Sequence, residues 1–403
     1  MYTLLLIVIF TVFIGRGLPD SLFGSAWPAI SEDLALPVSY ASGVTMISTL
    51  GIVVASLLSP KIINKLGTAT VVVISSVMSA GALIGFYFSG SFVFFCLCAV
   101  PLGFGAGLID VTINNYVAVC CGGKVMNFLH CSYGLGALIS PYLISVGIKN
   151  GDWRKGYLFA FILQSVIAIV AIISFSLWKK FYKNMEEEQT ETKTKMSFFG
   201  MVKNSSVRKV WLLVLATNGI EAVVGIWGST YLVGARGIAP EDASLMIVVY
   251  YLGLTVSRFT AGLFSGKVSD SKIIFVCCGV LLVPMILIFI PFSSVVMYYI
   301  IFFLFGLGNS AIYPNILHMT PDCFGIENSQ SVMSTEIAFA YGSGLFIPPI
   351  FGLLAQYVGA GTFTWYVLAL YAVLIVSTIA FMRSINKNRI QQEINSETKN
   401  ENS

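Results

Sequence analysis

Charge is what this sequence has least of. Only 10% of its 403 residues are Asp, Glu, Lys or Arg, against 57% hydrophobic, and the mean hydropathy is +0.85. A soluble domain carries about 25% charged residues, so too few are present to coat a water-facing surface and the surrounding solvent must be largely lipid. The net charge is +4 with no basic cluster, which argues against a nucleic-acid partner. The eight cysteines form no pairs of pairs at zinc spacing, and no metal or cofactor is expected. Cys96, Cys98, Cys131, Cys277 and Cys278 fall in apolar runs and read as small hydrophobes. Cys120, Cys121 and Cys323 fall in loops read as cytoplasmic, where thiols stay reduced. A basic n-region is missing before "TLLLIVIFTVFIG", so the first apolar segment reads as a retained span and not a cleaved leader. The "GFGAG" run lacks a following Lys-Ser/Thr and a preceding strand, so it is no phosphate loop. With no nucleophile elbow either, the chain does not read as an enzyme. Energy for any work across a membrane has to come from an ion gradient or the solute's own.

What is there is a series of twelve apolar segments, each of about 20 residues and long enough to cross the hydrocarbon core as a helix. They are placed at 3–29, 40–59, 68–89, 92–118, 127–149, 157–178, 208–233, 242–262, 272–291, 296–318, 330–357 and 363–384. A polar, charged stretch separates the sixth from the seventh. The organisation expected is a six-helix half over 1–178, a cytoplasmic linker over 179–207, a second half over 208–384, and a disordered cytoplasmic tail over 385–403. Lys and Arg concentrate in the loops on the linker's side, which places both termini in the cytoplasm. "KNGDWRKG" is the main exception. Trp178, Trp211 and Trp365 lie at span ends and read as interfacial anchors. The halves are alike: a shift of about 202 residues lays "ASGVTMISTLG" on "ASLMIVVYYLG", Gly103 and Gly105 on Gly306 and Gly308, and Asp20 near Glu221. Parallel repeats of this kind belong to secondary transporters that bind solute near the midplane.

Against such an apolar background the polar residues stand out. A carboxylate at mid-membrane costs roughly 2.5–3.5 kcal/mol on insertion scales, and "GLIDVTINN" puts Asp110 there, with Asn114 one turn later on the same face. A sequestered acid can exchange a proton as its surroundings change, and it can bind a solute hydroxyl. A hydrogen bond that only packs two helices is the plainer alternative. Asp20, in "GRGLPDSLFGSAW", has Arg16 four residues before it, so a local ion pair competes with a proton site, and Pro19 with its neighbouring glycines is expected to interrupt the helix. Glu221 shares a face with Asn218. Trp27 and Trp227 lie deep enough to stack on a sugar ring, or to pack a core. Asn309 and Tyr313 share a face in "GLGNSAIYPNILH", where Pro314 reads as a kink. Tyr133 is similar, and His130 beside it reads as a buried neutral imidazole. His318 lies near the cytoplasmic edge. Arg258 is read with Lys267 and Asp270 as a structural charge network, and Glu336 as a cavity wall or gate.

These stretches resemble the major facilitator superfamily, and within it the fucose permease-like sugar:proton symporters. Twelve spans and a central linker match the superfamily. The narrower likeness rests on "RGLPDSLFGSAWPAI", "GLIDVTINN", "NGIEAVVGIW", "SRFTAGL" and "IYPNIL". The resemblance implies the major facilitator fold: an all-α membrane protein of twelve helices in two pseudo-symmetric six-helix bundles. It implicates Asp20 and Asp110 in proton coupling, and Asn114 as the matching fourth-helix Asn. There are departures: the fourth-helix acid is Asp where the family has Glu, and the loop after the second span reads "PKIINKLGTA", with Pro60 and Asn64 replacing the motif's Gly and Asp. The expectation is therefore a monomeric, multi-pass plasma or inner membrane transporter that takes up a small polar solute, a monosaccharide, with protons. Asp110, Asn114, Trp27, Tyr133, Asn218, Glu221, Trp227, Asn309 and Tyr313 would bind solute, and Arg16, Arg258 and Glu336 would form a gate or charge network. A proton-driven exporter of drugs or metabolites is the alternative.

Overall fold

The computed structural model describes residues 2–36, 40–178 and 196–401, and is built of helices. The first half holds α1 (Tyr2–Asp33), α2 (Tyr40–Leu66), α3 (Thr68–Tyr87), α4 (Phe92–Cys120), α5 (Gly123–Lys149) and α6 (Arg154–Ile173). A short α7 (Phe198–Lys203) precedes the second half, α8 (Ser205–Arg236), α9 (Pro240–Phe264), α10 (Asp270–Leu287), α11 (Val295–Asn309), α12 (Ile312–Phe324), α13 (Ile326–Tyr357) and α14 (Phe363–Glu401). Twelve of the described spans are long and apolar enough to cross a membrane, α11 and α12 together making the tenth. The expected linker lies largely outside the described residues, at 179–195. Below, the linker end means the end of the bundle at which α6 finishes and α8 begins.

The helices start and stop where the local chemistry requires. The Ser91 hydroxyl accepts the Phe94 N–H to cap α4, and Asn204 accepts from Ser206 and Val207 to cap α8. Gly237, at φ +66°, closes α8 in the left-handed conformation that glycine adopts without penalty. The tenth span breaks at Ser310 and Ala311. Pro314 explains the position: it has no N–H for the carbonyl of residue 310, and its ring crowds that carbonyl. The kink expected at Pro314 is thus a full break one turn before it. Asn309 joins the broken end to α8 through paired bonds with Thr217, its amide donating to the Thr217 carbonyl and its Oδ1 accepting the hydroxyl, each at 3.0 Å.

Two expectations are corrected here. α1 runs unbroken through Pro19, since one proline in a long apolar helix removes only one backbone bond when neighbouring helices hold both sides. The tail expected to be disordered continues α14 as helix to Glu401. Its Gln, Glu and Lys residues suit a helix even where they cannot enter lipid.

Backbone contact between helices explains the repeat seen in sequence. A Cβ on Gly103 of α4 would strike the Ser48 carbonyl of α2, and one on Gly306 of α11 would strike the Tyr250 carbonyl of α9. Gly51 and Gly253 face those same helices from the other side. Each half therefore packs its second span on its fourth through one glycine from each, 202 or 203 residues apart in the chain. Small residues at a crossing allow the close approach that drives helix association in lipid. Leu, Ile, Val and Phe on the outer faces, such as Phe88, Val93, Leu97 and Val276, are widely exposed and form the lipid-facing belt.

Candidate functional site

Midway along the bundle, between the halves, lies a cavity of about 140 Å³. The first half lines it with Phe13, Asp110, Asn114, His130 and Tyr133, and the second with Asn218, Glu221, Arg258, Tyr313, Ala340 and Tyr341. Asp110 is not the lone acid that its place in the sequence implies. α1 brings Arg16, itself buried, against it, so that Nε donates to Oδ1 at 3.1 Å and Nη2 to Oδ2 at 3.0 Å. This two-point geometry is the strongest a guanidinium makes with a carboxylate. The Arg16 Nη1 donates to Asp20 Oδ1 at 2.9 Å, and the Tyr133 hydroxyl donates to Asp20 Oδ2 at 2.6 Å. The side chain of Arg16 is 1% exposed and that of Asp20 30%, so access rises within one turn towards the end opposite the linker.

Tyr341 of α13 carries this network across to the second half. Its hydroxyl accepts from Arg16 Nη2 at 2.5 Å and donates to Asp110 Oδ2 at 2.8 Å. Asn114 spends its amide N–H on the Asp110 carbonyl at 2.8 Å, which turns its Oδ1 to accept from His130 Nε2 at 3.2 Å. The second half is sparser. Arg258 approaches Glu221 at 3.7 Å, makes no hydrogen bond among those described, and leaves its buried Nε without an acceptor. The chamber thus offers a loosely paired guanidinium on one wall and carboxylate, amide and phenol groups on the other. Such a set can bind a small solute dense in hydroxyls.

The family model of the Major Facilitator Superfamily matches residues 5–238 and 210–401. The chain belongs to that superfamily. Its curated relatives include Bypass of stop codon protein 6 of Saccharomyces cerevisiae, 24% identical over 383 residues, covering 88% of this chain and 76% of the relative. They also include the glucose/mannose transporter GlcP of Bacillus subtilis, 23% identical over 297 residues and 72% and 73% of the two chains. Among solved structures, the transporter FucP in its outward conformation superposes with a TM-score of 0.72 at 14% identity, over 93% of this chain and 98% of that one. The chain is accordingly a major facilitator transporter with the two-bundle fold, similar to the fucose permease branch.

In this transporter the halves meet on the linker side of the cavity. The described hydrogen bonds that cross between them lie at cavity level or nearer the linker end. His318 places Nδ1 2.7 Å from Asp270 Oδ2, within its own half, and Nε2 3.3 Å from the Cys121 carbonyl of the other. Ser329 donates to Asn115 Oδ1 at 2.8 Å, and Asn127 to Asn315 Oδ1 at 3.4 Å. Leu317, Met333 and Ile337 of the second half are buried in the first half's hydrophobic cluster, whereas the cluster around Trp27, Phe86 and Phe95 at the far end holds first-half residues alone. The molecule is sealed at the linker end.

Several residues picked out in the sequence do not reach the cavity. Trp27 packs against Phe23 inside the first half, their ring centroids 5.2 Å apart. Trp227 donates to the Pro348 carbonyl at 2.9 Å and meets Phe351, so it seals α8 on α13 and offers no face to a sugar. Asn309 is spent on Thr217. Glu336 is fully buried between α12 and α13, beneath the cavity and not on its wall. Arg258 does line the cavity, but it turns to Glu221, and the Asp270 proposed as its partner is taken by His318. Trp178 and Trp211 are buried, the latter donating to Thr335 Oγ1 at 2.8 Å, so of the three anchors only Trp365 is exposed. In each case the helix face, invisible to hydropathy, decides. Tyr341 was missed altogether. Its one signal is a phenol set among small residues in "FAYGSG", where a polar ring has no packing reason to be.

Proposed function

We propose that this transporter takes up a monosaccharide together with protons, by rocking its halves about the central cavity. Its place would be the plasma or inner membrane, with the linker end and both termini in the cytoplasm, so that the present state opens outward. What carries the reading is the pairing of walls. An Arg16–Asp110–Tyr341 network built in advance faces an Arg258 that Glu221 approaches only to 3.7 Å, and a ring of hydroxyls can complete Arg258 while bonding Asn218 and Asp110. The likeness to a glucose/mannose transporter supports the solute class. Asp110 and Asn114 would hold the solute from the first half, and Glu221, Asn218, Tyr313 and Arg258 from the second. A uronic acid is the second reading, favoured by the same loosely paired Arg258, since a carboxylate would satisfy it better than hydroxyls do.

The test is uptake into liposomes containing the purified transporter, across a panel of radiolabelled hexoses, pentoses and uronic acids, under an inside-alkaline gradient. Accumulation of a neutral sugar that collapses with a protonophore is the expected result. Accumulation unaffected by the protonophore would remove proton coupling, and efflux driven by inward protons would reverse the direction.

A further inference from the structure

The acids at and beside the cavity are compensated: Asp110 and Asp20 by Arg16, and Glu221, more loosely, by Arg258. Glu336 is not. It is 0% exposed, and no Lys, Arg or His among the described residues comes within ion-pair distance. Its contact with a polar side chain is with Thr320 Oγ1, 2.9 Å from Oε2, and Oε1 has no hydrogen-bond partner. Among the described groups its charge reaches Tyr313 and Cys323, both on α12 and neither a counter-charge. From α8 comes Trp211, whose N–H is taken by the adjacent Thr335. Towards the first half, Met333 and Ile337 on either side of it enter an apolar cluster.

Counting hydrogens shows which form of the acid fits. Thr320 Oγ1 also lies 3.1 Å from the Ile316 carbonyl, the acceptor that a helical threonine ordinarily uses. One hydroxyl has one hydrogen. If it goes to Ile316, the Glu336 oxygen beside it must be the donor, and so must carry a proton. If it goes to Glu336, a full negative charge is left in an apolar pocket with a single neutral hydrogen bond, a costly arrangement.

Position gives the proton somewhere to go. Ala340, on the cavity wall, stands one turn from Glu336 on the same face of α13, about 6 Å along the axis. In the other direction, about one turn away, Met333 enters the apolar seal that Leu317 and Ile337 also form. Glu336 therefore sits between the chamber and the closed end, in the hairpin that has to move when that end opens.

We propose that Glu336 is a proton-binding site, loaded while the linker end is closed and emptied when that end opens to water. The O–H bond at Oε2 forms with a proton from cavity water and breaks to give it to water at the linker end. As the coupling site of the transport cycle it rests on the symport reading above. As a proton-dependent latch it stands without that reading. The linkage has a definite sign: the closed state binds one proton more than the open one, so acid favours closure and alkali favours opening.

The experiment uses the full-length transporter with spin labels at Lys124 and Lys267, exposed residues of opposite halves at the linker end. Without solute, raising the pH should lengthen the label distance in the wild type, and E336Q should stay closed at every pH. A wild-type distance that ignores pH, or an E336Q titration like the wild type, would overturn the proposal. In vesicles E336Q should keep solute exchange but lose proton-driven accumulation, falling to simple equilibration. Undiminished accumulation with wild-type pH dependence would overturn the coupling role. If no solute in the panel moves, the symport reading has failed and the solute-free titration still decides on Glu336. If E336Q does not fold, infrared spectra of wild-type protein with carbon-13 glutamate decide instead. A protonated glutamate band at neutral pH supports the site, and its absence removes it.

Discussion

The two halves share a backbone plan and differ in how they handle charge. The same glycine-lined crossing joins the second and fourth spans of each half, in nearly equivalent positions. Yet the first half holds a buried arginine engaged by two carboxylates and a phenol, while the second holds an arginine with a single distant carboxylate. A guanidinium whose donors are filled fixes geometry. One that is only loosely paired waits for a ligand. The repeat therefore supplies a symmetric frame, and the solute meets an asymmetric interior: one wall built in advance, the other finished by whatever binds.

The sharpest way to break this comparison is to remove each arginine in turn. Arg16→Leu leaves Asp110 buried without its counter-charge, a loss of about 3–5 kcal/mol for a buried pair with one partner removed. Thermal unfolding in detergent should show a large fall, and transport should vanish. Arg258→Leu removes a loose pair, and should cost stability about 1 kcal/mol or less while raising the solute concentration needed for half-maximal uptake. Equal losses of stability from the two substitutions would mean that the second wall is as prebuilt as the first.

The symmetric frame has its own test. Gly103→Ala and Gly306→Ala each push a methyl into a backbone carbonyl of the neighbouring helix. Overpacking of this kind costs typically 1–3 kcal/mol, and because the carbonyl belongs to a helix and not to a flexible side chain, the upper part of that range is expected in both. The two variants should match within experimental error by thermal unfolding. A tolerant Gly306→Ala beside a damaging Gly103→Ala would show that the halves do not share one crossing.

The frame was far more legible in the sequence than the interior. Twelve spans follow from hydropathy alone, because a helix of the right length is the one structure that an uncharged run can form in lipid. The glycines betray the repeat because backbone contact tolerates nothing larger. The acids of the cavity could be found too, since an ionisable residue in an apolar run needs a reason. Their partners could not. Arg16 and Asp110 are 94 residues apart, and only the packing of α1 beside α4 brings them together. The tryptophans misled for a related reason: Trp27 and Trp227 are as deep as a sugar site requires, but depth follows from sequence position and facing does not. Tyr341 drew no attention because a tyrosine carries no formal charge, although it is the residue that ties the halves together at the cavity.

That tie gives the finest probe. Tyr341→Phe keeps the ring and deletes the hydroxyl that accepts from Arg16 and donates to Asp110. Within the first half nothing else is lost, since Arg16 still grips both oxygens of Asp110. The cost should be that of two hydrogen bonds to charged groups, each about 1.5–3 kcal/mol in a fixed structure. Less than that should appear in thermal unfolding, because the halves can part without unfolding either. The remainder should appear in the balance between states: the label distance at the linker end should shift towards the open form at constant pH, while Arg258→Leu leaves it in place. A Tyr341→Phe variant whose label distance matches the wild type would mean that the seal of Leu317, Met333 and Ile337 alone holds the halves together, and that the polar bridge serves only to shape the wall against which the solute docks.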